Sequence, residues 1–157
     1  MTIEEQIIEM WRINNRINLY MIKHISDDAM KATLSKRGGR GIAGQFAHIH
    51  NVRVWRVRTF AKKLNVELKE FGKSENPDKK QLIISLQQSS SVMEQYLHYC
   101  IDKGGVVPNF KTGVVPMLGY MTTHEAHHRG AILLTMKQCG FKLSEELKWG
   151  IWFWNKI

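Results

Sequence analysis

The chain has 157 residues, 43% of them apolar and 24% charged, which suits one globular domain over 1–157 and excludes a disordered chain. Its formal charge of +9 comes from 23 Lys and Arg against 14 Asp and Glu. The excess sits in one segment: Lys31, Lys36, Arg37, Arg40, Arg53, Arg56, Arg58, Lys62 and Lys63 occur without an intervening acid, so the remainder is neutral.

In chain order, residues 3–25 repeat apolar positions at helical spacing (Ile3, Ile7, Met10, Trp11, Ile17, Met21), which predicts a long amphipathic helix. Ser26, Asp27 and Asp28 offer caps for a short helical turn. Gly38, Gly39 and Gly41 then break regular structure. A second long helix is expected over 42–64 and a third over 77–103, with Asn76 as its cap and Pro77 in its first turn. A loop follows, then a fourth helix over 114–138. Ser144 begins a short aromatic tail helix that ends in Trp149, Trp152, Phe153 and Trp154, a cap on the fold or a dimer surface.

Four long helices without period-two alternation predict an all-α fold. The expected architecture is a four-helix bundle, with a crossover where a long connection joins helices one and two. No uninterrupted apolar run reaches a membrane span, and the acidic N-terminal MTIEEQIIEM is unlike a signal peptide. Cys100 and Cys139 form no Cys-x-x-Cys pair, so a reducing cytoplasm is the expected setting.

Five of the seven histidines fall in two short windows. His124 and His128 stand four apart on the fourth helix, one turn from each other on one face, where two imidazoles can share a metal ion. The same window spells His-Glu-x-x-His, the zinc-protease helix. A protease reading fails on two counts. Ala131 and Leu134 occupy the places of the metzincin glycine and third histidine, and no strands are predicted to bind a peptide. Glu145 or Glu146 offers a downstream carboxylate in their place.

Helix two offers a third ligand in His48 or His50, which lie about 200° apart around a helix and cannot face one ion together. His50 shares an apolar stripe with Phe46, Val54 and Val57, as a core histidine bonded to a carbonyl would. His48 shares one with Gly41, Gly44, Gln45 and Val52, small or uncharged residues such as line a cleft. Spacing alone leaves the two open.

The run Phe46-Ala47-His48-Ile49-His50-Asn51-Val52-Arg53, together with Leu118-Gly119-Tyr120 and His124-Glu125-Ala126-His127-His128-Arg129-Gly130, resembles the DinB superfamily of metal-binding four-helix bundles. The resemblance covers essentially the whole chain. It implies one histidine from helix two and two from helix four around a divalent ion, zinc or nickel. By position these are His48, His124 and His128. Ala131 departs from the glutamine usual after Arg-Gly in the family.

Three neutral histidines with open coordination imply a catalytic kind of centre. The resemblance implies a metal-dependent enzyme on a small molecule, either a thiol S-transferase or a hydrolase, and a homodimer. Glu125 and Tyr120 are the candidates for handling protons or lining the site, although Glu125, about 100° from His124, reads more simply as a surface acid. His127 and Arg129 are expected at the surface. A basic rim that includes Arg53 and Arg56 would draw an acidic substrate, such as a carboxylate-bearing thiol. The alternatives are a non-catalytic metal-binding stress module and, less favoured, a nucleic-acid-binding protein. The basic residues of helix two point in several directions, and Arg53 and Arg58 lie about 140° apart.

Overall fold

Thr2 and Glu5 start the first helix by satisfying each other. The Thr2 hydroxyl accepts from Glu5 N at 3.1 Å, and the Glu5 carboxylate accepts from Thr2 N at 2.7 Å. This computed structural model describes residues 1–36 and 39–157; Arg37 and Gly38, in the predicted glycine break and basic segment, lie outside the described residues. The helices are α1 (Ile3–His24), α2 (Asp27–Met30), α3 (Ile42–Phe60), α4 (Lys79–Asp102), α5 (Val114–Gln138) and α6 (Glu145–Gly150). Among the described residues the fold is all-helical, with four long helices and a single bridge between Val107 and Phe110 in place of strands. Among the described residues no helix is long and apolar enough to cross a membrane.

Two boundaries differ from expectation. The second long helix ends at Phe60, after which a 3-10 turn, Lys62–Leu64, runs into Asn65 in the left-handed region (φ 43°). The third begins at Lys79 and is capped by Asp78. The Asp78 carboxylate accepts from Gln81 N at 2.8 Å, and the Gln81 side chain accepts from Asp78 N at 2.9 Å. That reciprocal pair satisfies two helix-end donors at once, which Asn76 could not do from two residues upstream. Ser26 and Ser144 cap α2 and α6 as their sequence positions predict.

α4 packs against both α1 and α3, and α5 contacts the same two helices. The core between them falls into two apolar clusters. One gathers Ile22, Phe46, Leu86 and Ile132; the other gathers Trp11, Met93, Tyr96 and Met121. A buried polar layer of Asn14, Asn15, Asn18, Arg53, Ser89 and Glu125 draws on all four long helices. Arg53 is at its centre, 4.7 Å over the Trp11 ring. Burying a charge in this way is tolerated only when it is paired and hydrogen-bonded, as this one is.

Candidate metal centre

α3 and α5 bring His48, His124 and His128 together. Their ring centroids are 5.3 Å apart for His48–His124, 4.7 Å for His48–His128 and 4.6 Å for His124–His128. One nitrogen from each lies within 4.8 Å of the others, an arrangement that could hold a metal ion. The i, i+4 spacing stacks the two α5 rings on one face, and His48 meets them because α3 packs on α5.

The donor set fits a cation. The Nε2 atoms of His124 and His128 face each other at 3.1 Å, a separation spanned by two bonds of about 2.0–2.1 Å meeting at one zinc-like ion. His128 Nδ1 lies 2.5 Å from the Gln45 side-chain oxygen, so the proton sits on Nδ1 and Nε2 keeps its lone pair for the centre. His124 Nδ1 is buried without a hydrogen-bond partner among the described residues.

All three rings are held neutral. Burial, then the Arg40 charge and His124, push His48 down to about 4. Burial followed by the neighbouring histidines and Arg40 pushes His128 down to about 4. His124 is lowered by burial, with Glu125 opposing and His127 and Arg40 adding to the effect. Neutral imidazole is the ligand form, so the protonation states suit metal binding at neutral pH. His48 also faces a cleft of about 350 Å³, lined among others by Arg40, Gly44, Asn51, Phe71 and Lys73.

His50 points elsewhere. It is 1% exposed, with its ring nitrogens 2.8 Å and 2.9 Å from the carbonyls of Ser85 and Lys69. Neighbouring Asn51 pairs with the Phe71 backbone in both directions, at 2.8 and 2.9 Å, and so fixes the loop that walls the cleft.

Glu125 is not a surface acid. It is fully buried, and Arg53 donates to both of its oxygens at 2.7 Å, with Asn14 and Asn18 each donating at 2.7 Å. Burial raises the carboxyl pKa, but the charge and hydrogen bonds of Arg53, with Arg129 and Asn18, outweigh it and hold the group ionised. The 100° offset from His124 turns Glu125 into the polar layer, where it accepts one hydrogen bond at Oε1 and three at Oε2. Arg129 also turns inward, donating to Asn14 at 2.9 Å and Asn18 at 3.0 Å, while His127 is exposed. Glu145 and Glu146 sit on exposed α6, where Glu145 binds Lys148 and Trp149.

Tyr120 is 51% exposed and stacks beside His124 with ring centroids 6.4 Å apart. It is exposed beside His124 and is not a core residue. The expected basic rim shrinks: Arg53 and Arg56 are buried and Arg58 pairs with Glu70, which leaves Arg40 as the charge felt by all three histidines. Gln45 was legible only as a neutral neighbour of His48. Its place three residues before His48, on the same side of the helix, is the signal that points to it.

Compared with known proteins, the chain matches the DinB family over residues 1–144, and the aromatic tail lies beyond the match. No curated protein and no solved structure matches it.

Proposed function

The chain belongs to the DinB family, and from that premise we propose that His48, His124 and His128 hold one divalent ion, zinc or nickel, in a metal-dependent enzyme acting on a small molecule. The carrying observation is the convergence of three neutral imidazole nitrogens on one point beside an open cleft. When bound, such an ion supplies a Lewis acid that polarises a carbonyl or lowers the pKa of a water or thiol.

The chain's own residues do the rest. Gln45 holds the His128 tautomer. Tyr120 offers a solvent-reaching phenol beside His124 for orienting a substrate. The cleft beside His48, with Arg40 and Lys73 on its walls, has room for a small acidic molecule, for which a carboxylate-bearing thiol is the favoured candidate. Thiol transfer and hydrolysis are the two reaction classes consistent with this arrangement. Glu125, buried and bonded by Arg53, Asn14 and Asn18, is a positioning residue in this reading and not a general base.

We read the four long helices as a four-helix bundle with a crossover between α1 and α3, and the protein as a cytoplasmic homodimer. The two free cysteines, and the exposed Trp149, Trp152 and Phe153, support the last two points.

Metal content by elemental analysis, with zinc and nickel titrations, tests the core of the proposal. One ion per chain is expected, and His124→Ala should abolish binding. Screening the zinc- and nickel-loaded protein with thiols plus electrophiles, and with ester and amide substrates, then separates an enzyme from a non-catalytic metal-binding stress module. Turnover lost in the metal-free protein is the expected result.

A further inference from the structure

We propose that Arg56 anchors a second binding subsite next to the histidine centre, one that takes a carboxylate or phosphate group. Arg56 is 6% exposed and sits among the rings of Phe60, Phe110 and Tyr120, at 5.0, 5.6 and 5.8 Å from its guanidinium carbon. Tyr96 and Cys100, both neutral, are its other electrostatic neighbours.

The contrast with the other inward arginines carries the argument. Arg53 spends its donors on Glu125, Asn15 and the Leu86 carbonyl. Arg129 donates to Asn14 and Asn18 and lies 3.9 Å from Glu125. Arg56 has neither a carboxylate nor a hydrogen-bond acceptor among the described residues. Ring faces attract the cation but accept little from its five N–H donors, and each Arg56 nitrogen keeps some contact with solvent, so the enclosed guanidinium is left open to an anion. Its planar fork matches the two oxygens of a carboxylate or phosphate.

Its position links it to the metal centre. Tyr120 lies one turn before His124 on α5, and its ring lies beside both the Arg56 guanidinium and the His124 ring. Phe110 packs beside Tyr120, with ring centroids 5.9 Å apart. Eight residues separate His48 from Arg56 on α3, a rise of about 12 Å. A ligand engaging both ends is therefore elongated, with an anionic group at Arg56 and its reacting atom at the histidines. The second half of that statement rests on the metal-centre reading; the anion subsite does not.

The test titrates inorganic phosphate and, separately, succinate into the full chain, metal-free and zinc-loaded, following the Arg56 Nε–H and Tyr120 ring signals by NMR. Saturable shifts at both groups are expected, and the anion that binds more tightly identifies the favoured group. Arg56→Met keeps the stem volume and removes an unpaired charge, so it should fold and still bind zinc as tightly as the parent. Its affinity for the anion should fall roughly tenfold or more, with Arg56→Lys intermediate. Equal affinity in Arg56→Met, or no shift at Arg56 with either anion, would overturn the subsite. Failure of the unaltered protein to bind zinc would instead overturn the metal centre, with the Arg56 result still read from the anion titration.

Discussion

The side-chain oxygen of Gln45 lies 2.5 Å from His128 Nδ1, and this one contact aims the opposite nitrogen of the ring at His124, 3.1 Å away. Two helices thereby agree on where a cation would sit. The three converging imidazoles come from His48 on α3 and from His124 and His128 on α5, and the orienting carboxamide comes from α3.

Gln45 should consequently matter to metal affinity without touching the ion. Gln45→Leu is expected to weaken zinc binding by about 10–100-fold, the usual effect of losing a ligand's orienting partner. Gln45→Glu, which still accepts from Nδ1, should retain most of it. Chelator competition reads both, and an unchanged affinity in Gln45→Leu would refute the orienting role.

The Arg53–Glu125 pair is fully buried on both sides, so removing either partner strands a charge in the core. Glu125→Ala or Arg53→Ala should cost about 3–5 kcal/mol in urea unfolding. Arg53→Met combined with Glu125→Leu should cost less than the sum of the single changes, because no charge is left alone. A loss under about 1 kcal/mol for Glu125→Ala would return that residue to the role of a free acid.

The depressed histidines give a pH dependence with a definite sign. His48 and His128, both lowered to about 4, stay neutral and free to bind a cation well below the ordinary histidine range. Metal should remain bound as pH falls from 7 to 5 and be lost near 4. In the metal-free protein the unfolded chain takes up these protons first. Stability should therefore be level above about 6.5 and decline as pH falls from there towards 4. Zinc titrations and thermal unfolding across that window check both trends, and stability that rises on acidification would contradict the lowered values.

At the tail, Tyr20 donates its hydroxyl to the Glu146 carbonyl at 3.0 Å, and its ring packs so closely on Gly150 that an added Cβ would run into the hydroxyl. Gly150→Ala should lift α6 from α1 at a cost of about 1–3 kcal/mol. Tryptophan fluorescence and limited proteolysis would report the release. Tyr20→Ala combined with Gly150→Ala should lose no more than Tyr20→Ala alone.

How much of this was legible in advance follows the range of each interaction. The bounds of α5, 114–138, were readable from Gly113 before it, Cys139-Gly140 after it and the helical run between them. Ser26 and Ser144 caps were readable because a cap bonds an amide three residues on. The start of α4 was misplaced by two residues because Asn76 and Asp78 are both good caps, and the side chain of Gln81 decided between them.

The polar layer was not legible. Period alone places Glu125 about 100° from His124, off the metal face, and says nothing of what waits there. What waits is Arg53, from 72 residues upstream, with Asn14 and Asn18 from more than a hundred. The basic segment was misread for the same reason: counting charges cannot show that Arg53 is paired and that Arg56 is enclosed by rings.

The sequence by itself determined the helices, the i, i+4 histidine pair and, through its motifs, the DinB family, since these depend on residues a few positions apart or on a short pattern. Tertiary structure alone decided that Gln45 meets His128, that Glu125 is a buried anion and that Arg56 is paired with none among the described residues. A polar side chain's role depends on which partner shares its low-dielectric surroundings, and that partner arrives from another helix.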